Sequence, residues 1–148
     1  MRMIPFAAAL LLMPAPALAH VTIWPKESTA KAREKYEVRV PNEKQADTVA
    51  VELRFPAGLR VTSFEQKPGW MTEPIRDASG TAIGVRWTGR LAPQQFTEFG
   101  LLAVNPPAAG ELSWTAVQSF SDGTNVEWSG PAGSKTPAPR VTIRPASN

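Results

Sequence analysis

The sequence contains no cysteine among its 148 residues and a single histidine. The lack of cysteine excludes disulfides, thiolate zinc sites, iron–sulfur clusters and the blue-copper centre, which needs a cysteine ligand. The 15 prolines and 10 glycines are too many for a helical bundle, while the five tryptophans and 43% hydrophobic residues are too many for a disordered tail. These limits leave one small β-rich domain.

The sequence also lacks a cluster of like charges. Its formal net charge is +3, from 16 basic and 13 acidic residues. The basic residues are scattered singly among acids, a pattern that does not follow a phosphate backbone. We therefore expect no nucleic-acid partner.

The first segment, residues 1–19, has the parts of a secretory signal peptide. A basic flank precedes an apolar stretch at residues 4–13, and Ala17-Leu18-Ala19 forms a small-residue cleavage site. The apolar stretch is too short for a membrane span, and no second one follows. We therefore expect cleavage to leave residues 20–148 as a single soluble periplasmic domain that begins at His20.

Short runs of alternating apolar and polar residues, which are typical of half-buried strands, recur through the rest of the chain. Each run ends at turn residues, and Asp122-Gly123 is the clearest hairpin turn. About nine runs without a convincing amphipathic helix predict an all-β fold, an antiparallel β-sandwich of immunoglobulin or cupredoxin type. An irregular loop is predicted at residues 130–139. The predicted strands lie at residues 21–24, 36–40, 49–55, 59–64, 83–87, 96–104, 112–120, 124–128 and 141–143.

The single histidine would be the first residue of the mature chain. An amino-terminal histidine offers its α-amine and ring Nδ1, which can chelate one metal ion, and these neutral nitrogens suit Cu(II) best among common divalent metals. Met71 is the only sulfur in residues 20–148, whereas Cu(I) carriers need several sulfur ligands, so Cu(II) is expected. Because both nitrogens must be deprotonated to bind, affinity should fall in acid. The competing interpretation is a surface histidine that merely follows the cleavage site.

Catalysis has little support in the sequence. Copper monooxygenases of polysaccharides use a second histidine, which is lacking here. No serine lies in the G-x-S-x-G pattern of hydrolases. We therefore predict that the protein is not an enzyme.

Further metal ligands must be carboxylates, backbone groups or water. If the first strand pairs antiparallel with residues 36–40, His20 lies opposite the end that leads into Glu43. Glu43 is therefore the first choice, and Glu127 and Glu98 remain alternatives because the placement of their strands is unknown. For any one glutamate, the ordinary role is a solvated side chain.

The five tryptophans divide between packing and a site. Trp24, Trp87 and Trp114 fall in alternating runs and are predicted to lie in the core. Trp70 follows a Pro-Gly turn and is predicted to cover an end of the sandwich. Trp128 ends a strand beside a turn, where its indole could face a bound cation or shield it from water.

A series of short motifs extends over essentially the whole mature chain. The motifs are Ala19-His20-Val21-Thr22, Pro25 with Glu27-Ser28, Tyr36 with Val38-Arg39-Val40-Pro41-Asn42-Glu43, Pro68-Gly69-Trp70, Trp87-Thr88-Gly89, Phe96 with Glu98-Phe99, Ser121-Asp122-Gly123, and Val126-Glu127-Trp128-Ser129-Gly130-Pro131.

In this order the motifs resemble the YcnI-like family of bacterial copper-binding domains. The resemblance implies a β-sandwich that binds one Cu(II) through the amine and imidazole of its N-terminal histidine, a mono-histidine brace assisted by a Glu and a nearby Trp. His20 and Trp128 match two of these positions, and Glu43 is preferred for the third.

We therefore predict a periplasmic Cu(II)-binding protein, a copper buffer or metallochaperone that exchanges copper with another periplasmic or membrane copper protein. Some members of the family end in a membrane helix, and this sequence shows none, so free diffusion is expected. The alternative is a structural or adhesion-type β-sandwich that binds a protein or glycan partner without metal, through exposed aromatics such as Trp70. A redox accessory is a third possibility, for which the sequence gives no specific support.

Overall fold

The alternating runs form strands, as predicted. The computed structural model describes residues 19–147, so the predicted signal peptide lies outside these residues except for Ala19. The described residues contain no helix long and apolar enough to cross a membrane. The strands are β1 Thr22–Trp24, β2 Glu27–Thr29, β3 Arg33–Pro41, β4 Thr48–Arg54, β5 Arg60–Phe64, β6 Met71–Arg76, β7 Ala82–Leu91, β8 Phe96–Val104, β9 Gly110–Ser113, β10 Thr115–Phe120, β11 Asn125–Trp128 and β12 Arg140–Arg144.

Two sheets form the body of the sandwich. One has the strand order β1-β3-β8-β5 and the other β11-β10-β4-β7-β6, and the neighbours in both pair antiparallel. A third sheet, β2-β12-β9, contains the one parallel pair of the described strands, β2 with β12. The predicted all-β sandwich is confirmed, with this parallel pair as an addition to the antiparallel pattern.

The core lies between the two main sheets. Along β3, Tyr36, Val38 and Val40 are fully buried at alternate positions, as a period of two requires. Trp87 of β7 and Phe99 of β8 stack across the interface, with ring centroids 4.3 Å apart and planes inclined by 11°. This aromatic pair joins the two sheets at the centre of the molecule.

The structure differs from the predicted strands at three places. The pattern predicts no strand at β2, which is short and half exposed, or at β6, an edge strand that contains Pro74. The run at residues 112–120 divides at the fully buried Trp114. Its first part joins the small sheet as β9, and its second part joins a main sheet as β10.

The core prediction for Trp24 is wrong. Ile23 takes the inward position, so the alternation of β1 turns the neighbouring indole outward, where Trp24 is 41% exposed. Trp87 and Trp114 are buried, as predicted. Trp70 is half-buried beside the aromatic pair of the core.

The predicted turn and loop at the β11 end of the sandwich are confirmed. Asp122-Gly123 joins β10 to β11, and Gly123 has a φ of 84°, a conformation that favours glycine. Residues 130–139 form an irregular segment, called here the 130–139 loop. It is closed by hydrogen bonds from Gly130 N to Thr136 O and from Ala138 N to Gly130 O, both 2.9 Å.

Candidate metal centre

The pairing of β1 with β3 places His20 at one end of the sandwich. The strands are antiparallel, with Thr22 opposite Arg39, which confirms the predicted pairing. Continued by two residues, this register places His20 opposite Pro41. The chain leaves β3 at that point and reaches Glu43 two residues later, as the antiparallel pairing predicts.

The imidazole of His20 lies beside the indole of Trp128. Their ring centroids are 5.7 Å apart, and the planes are inclined by 55°. Trp128 is only 7% exposed, whereas His20 is half-buried and therefore reachable from solvent. The indole thus forms a fixed wall next to an accessible nitrogen donor.

A buried amide holds this indole in place. Gln118 of β10, 2% exposed, accepts a hydrogen bond from Trp128 Nε1 at 3.3 Å. Its Nε2 donates to Pro41 O at 2.9 Å and to Thr48 Oγ1 at 2.8 Å. Gln118 therefore connects the indole on β11 to the end of β3, opposite His20. All of its polar atoms are paired, as a buried amide requires.

Glu43 lies in a short loop that Asn42 fixes. The buried Asn42 donates from Nδ2 to Ala46 O at 2.9 Å and to Leu91 O at 3.0 Å, and its Oδ1 accepts from Lys44 N at 3.0 Å. The Glu43 side chain is exposed, so its charged carboxylate has no desolvation penalty and is accessible to a cation.

Glu43 and Trp128 line one cavity of about 270 Å³, which we call the Trp128 cavity. Ala19, the residue before His20, lines the same cavity. The structure therefore places the His20 ring beside the Trp128 ring, and Glu43 in the cavity that this ring lines, although His20 itself does not line that cavity.

The alternative carboxylates are placed differently. Glu98 pairs with Arg39 at 3.4 Å on the outer face of its sheet, and Glu127 is exposed on β11, where its neighbour Trp128 faces inward. Neither lines a cavity that contains His20 or Trp128. The geometry therefore favours Glu43.

The donor set of this end of the molecule is small. Within residues 19–147, no group of three or more His, Cys, Asp or Glu side chains is arranged to hold a metal. One imidazole, one carboxylate and the main-chain nitrogen of His20 are what the fold offers. Nitrogen and oxygen donors without sulfur fit Cu(II), and so small a set leaves coordination positions for water or another ligand.

His20 itself lines a different cavity, of about 290 Å³, which we call the Arg140 cavity. Lys26, Arg140 and the glycine-containing part of the 130–139 loop line it, and no acidic side chain does. Burial, together with the charge of Arg39, holds the pKa of Lys26 below its usual value. The two cavities thus differ in charge: Glu43 lies with Lys44 and Lys135 in the Trp128 cavity, whereas the Arg140 cavity has cations and no acidic side chain.

Gln118 and the two cations of the Arg140 cavity are absent from the sequence prediction. The sequence does carry a signal for Gln118, because it takes an inward position between Ala116 and Phe120 in an alternating strand. A polar residue at such a position must find partners inside. Lys26 and Arg140 are 114 residues apart, and only the fold brings them to one cavity.

The fold defines an immunoglobulin-like β-sandwich. The structure of an uncharacterized protein from Nocardia farcinica, described as an immunoglobulin-like fold, aligns with a TM-score of 0.73 and 28% identity over 84% of this chain and 97% of that one. A cohesin module from a Clostridium perfringens family 33 glycoside hydrolase aligns with a TM-score of 0.57 and 10% identity over 86% and 97% of the two chains. The latter likeness concerns the fold alone.

The chain belongs to the family described as a domain of unknown function, DUF1775, which matches residues 20–143. It is 36% identical over 132 residues to the copper-binding protein CutI of Bacillus subtilis (strain 168). That alignment covers 87% of this chain and 64% of the length of CutI. The resemblance to the YcnI-like family is thereby confirmed.

Proposed function

We propose that the protein binds one Cu(II) ion as cargo through the α-amine and the imidazole of His20, with Glu43 as the carboxylate ligand and Trp128 beside the site. The observation that carries this proposal is the placement of the His20 ring 5.7 Å from Trp128, while Glu43 lines the cavity of the same indole. The similarity to a protein named for copper binding supports the choice of metal.

The amine becomes available only when the chain begins at His20, so the proposal includes removal of residues 1–19 and a periplasmic location. Amine and imidazole then close one chelate ring, and Glu43 adds a negatively charged oxygen. Gln118 fixes the indole, and the indole limits access of water to one side of the ion. The proposed site therefore uses the side chains of His20, Glu43, Trp128 and Gln118.

The proposed role is a copper buffer or metallochaperone without catalytic turnover. His20 is half-buried and lines the Arg140 cavity, so a bound ion stays within reach of a second ligand. Three protein donors leave the ion exchangeable, which suits transfer to or from another periplasmic or membrane copper protein.

A calorimetric titration with Cu(II) tests the proposal on a chain that begins at His20. His20→Ala should weaken binding by at least about tenfold, because the chelate is lost. The matched control is a chain that begins at Pro16, which retains the imidazole but moves the free amine away from it. This chain should also bind weakly, and electron paramagnetic resonance of the His20 chain should show one imidazole and one amine nitrogen.

Equal Cu(II) affinity in the His20 chain, the Pro16 chain and His20→Ala would defeat the proposal. The fold would then belong to an exported β-sandwich that binds a protein or glycan partner without metal.

A further inference from the structure

The proposed coordination leaves the copper ion with an excess of positive charge. Two neutral nitrogens and one carboxylate do not cancel the charge of Cu(II), and they do not fill its coordination positions. No further His, Cys, Asp or Glu within residues 19–147 completes a group of three. The open coordination positions are therefore available to water or to a donor from another molecule.

The Arg140 cavity is suited to an anionic donor. Arg140 forms an ion pair from Nε to Glu111 Oε1 at 3.0 Å and donates from Nη2 to Gly130 O at 3.3 Å. Glu111 itself does not line the cavity, so its carboxylate does not occupy the place of a ligand.

Lys26 adds a cation without a counter-ion. It makes no ion pair with the residues described, and its Nζ lies 4.8 Å from the centroid of the Trp24 ring. Arg39 lies over the same ring, with Cζ at 5.5 Å. Arg39 already has a counter-ion, because it pairs with Glu98 at 3.4 Å. Lys26 has none among the residues described, so a nearby anion would stabilise its charge.

The Trp128 cavity has a different character. Lys44 and Lys135 line the Trp128 cavity, but Glu43 lies with them, and Lys44 Nζ donates to Thr124 Oγ1 at 2.8 Å. An incoming anion would meet a carboxylate there. The charge distribution therefore directs anions to the Arg140 cavity.

We propose that the Arg140 cavity binds a carboxylate group that completes the coordination of the copper ion, so that copper is held as a ternary complex with a carboxylate ligand. This inference rests on the proposed function. A carboxylate fits because its oxygens suit Cu(II). The Lys26 ammonium and Arg140 Nη1 are the cationic donors left to bind it, since Arg140 Nε and Nη2 already bond Glu111 and Gly130. The cavity of about 290 Å³ admits a small dicarboxylate.

The test uses oxalate as the probe and electron paramagnetic resonance of the copper-loaded chain that begins at His20. Oxalate should change the copper spectrum while the protein nitrogen couplings persist. Lys26→Gln should weaken oxalate binding by about fivefold, and Arg140→Gln should act in the same direction. Lys135→Gln removes the same charge from the Trp128 cavity and should leave oxalate affinity unchanged.

Equal oxalate affinity in wild type, Lys26→Gln and Arg140→Gln would overturn the proposal, as would an equal loss in Lys135→Gln. Loss of the nitrogen couplings on addition of oxalate, which means that oxalate strips the copper, would overturn it too.

A second arm separates this proposal from the copper site itself. Nuclear magnetic resonance of the copper-free chain should show oxalate shifting the amides of Ala132 and Gly133 in wild type but not in Lys26→Gln. Copper binding without these shifts and without a ternary spectrum leaves the proposed function intact and overturns the carboxylate site. The shifts without copper binding at His20 overturn the ternary complex and the proposed function together.

The source of the carboxylate is resolved by a second probe, N-acetylglutamate α-amide, which presents one side-chain carboxylate. Binding of both probes with the same dependence on Lys26 indicates an acidic side chain of a partner protein. Binding of oxalate alone indicates a small chelating dicarboxylate.

Discussion

Gln118 shows how one buried side chain can set the geometry of an exposed site. Gln118→Leu removes the acceptor of Trp128 Nε1 and the donor to Pro41 O and Thr48 Oγ1. Unpaired buried groups should lower the free energy of unfolding by about 2–4 kcal/mol. Copper affinity should fall by about tenfold, because the indole and the end of β3 lose their fixed relation. Urea unfolding and calorimetry measure the two effects.

Thr48→Val is the matched control for this prediction. Thr48 is fully buried and contacts Gln118 but not Trp128. The substitution should cost about 1 kcal/mol in stability and leave copper affinity unchanged. If Gln118→Leu also destabilises the protein without changing affinity, the buried amide supports the fold and has no influence on the site.

Tyr36 offers a spectroscopic test of burial, since it is the only tyrosine in the sequence. Burial, assisted by the charge of Glu34, raises the pKa of this phenol, although hydrogen bonds with Ser28 and Asn105 oppose the shift. The folded protein therefore binds the phenolic proton more tightly than the unfolded chain. The contribution of Tyr36 to stability should be constant below about pH 10 and should be lost as the pH rises further, through the raised pKa of the folded protein.

The ultraviolet absorbance of phenolate measures this titration directly. The midpoint should lie above that of the same protein in guanidinium chloride, and ionisation should coincide with unfolding. A midpoint in the folded protein equal to or below that of the unfolded chain would mean that the phenol is open to solvent.

At the level of single residues, the sequence predicted the features that local rules determine. The choice of Glu43 as the carboxylate near His20 rests on the pairing of β1 with β3, which requires only that these two neighbouring strands run antiparallel. Trp24 is predicted to be buried because large aromatic residues usually lie in the core. Ile23 takes the buried position instead, so alternation along β1 places Trp24 on the outer face. Arg140 could not be found, because its place beside His20 depends on how distant strands assemble.

Trp70, in the loop before β6, packs closely against Gly89 of β7. Trp70 packs edge-on against Phe99, with centroids 5.0 Å apart, and covers Gly89. A Cβ at Gly89 would lie 2.6 Å from Trp70 Cε3 and 2.9 Å from Gly69 O, closer than atoms can approach. Gly89→Ala should therefore cost about 2–3 kcal/mol in urea unfolding.

A double-mutant cycle tests the cause of this cost. In a Trp70→Ala background the main obstacle to the new methyl group is gone, so Gly89→Ala should cost less than about 1 kcal/mol. A cost that is the same in both backgrounds would show that the backbone at Gly89, not the indole, resists the substitution.

Two edge strands, β2 and β6, are the elements that the sequence did not reveal. Central strands such as β3 and β8 bury every second residue and show the period clearly. β2 and β6 lie at sheet edges with mostly exposed side chains, so their hydrophobic signal is weak. The division of one run into β9 and β10 depends on the burial of Trp114 between two sheets, which is a property of the assembled fold.

For the whole molecule, the proposed copper site combines local and tertiary ligands. The amine and imidazole belong to one residue, so the unfolded chain offers them as well as the folded protein does. Glu43 and Trp128 reach His20 only through the pairing of β1 with β3 and the packing of β11. Copper therefore stabilises the fold only by the part of its affinity that these tertiary groups supply.

Thermal stability should consequently report on Glu43 more sharply than affinity does. A tenfold preference of copper for the folded chain is worth about 1.4 kcal/mol, which corresponds to a rise of about 4–8 °C in Tm at saturating copper. Glu43→Gln should reduce this rise to under about 2 °C while the amine and imidazole still bind the ion. Glu127→Gln, which removes an exposed acid from β11, should leave the rise unchanged. If Glu127→Gln abolishes the rise and Glu43→Gln preserves it, the carboxylate comes from β11, and the loop that Asn42 fixes has no part in the site.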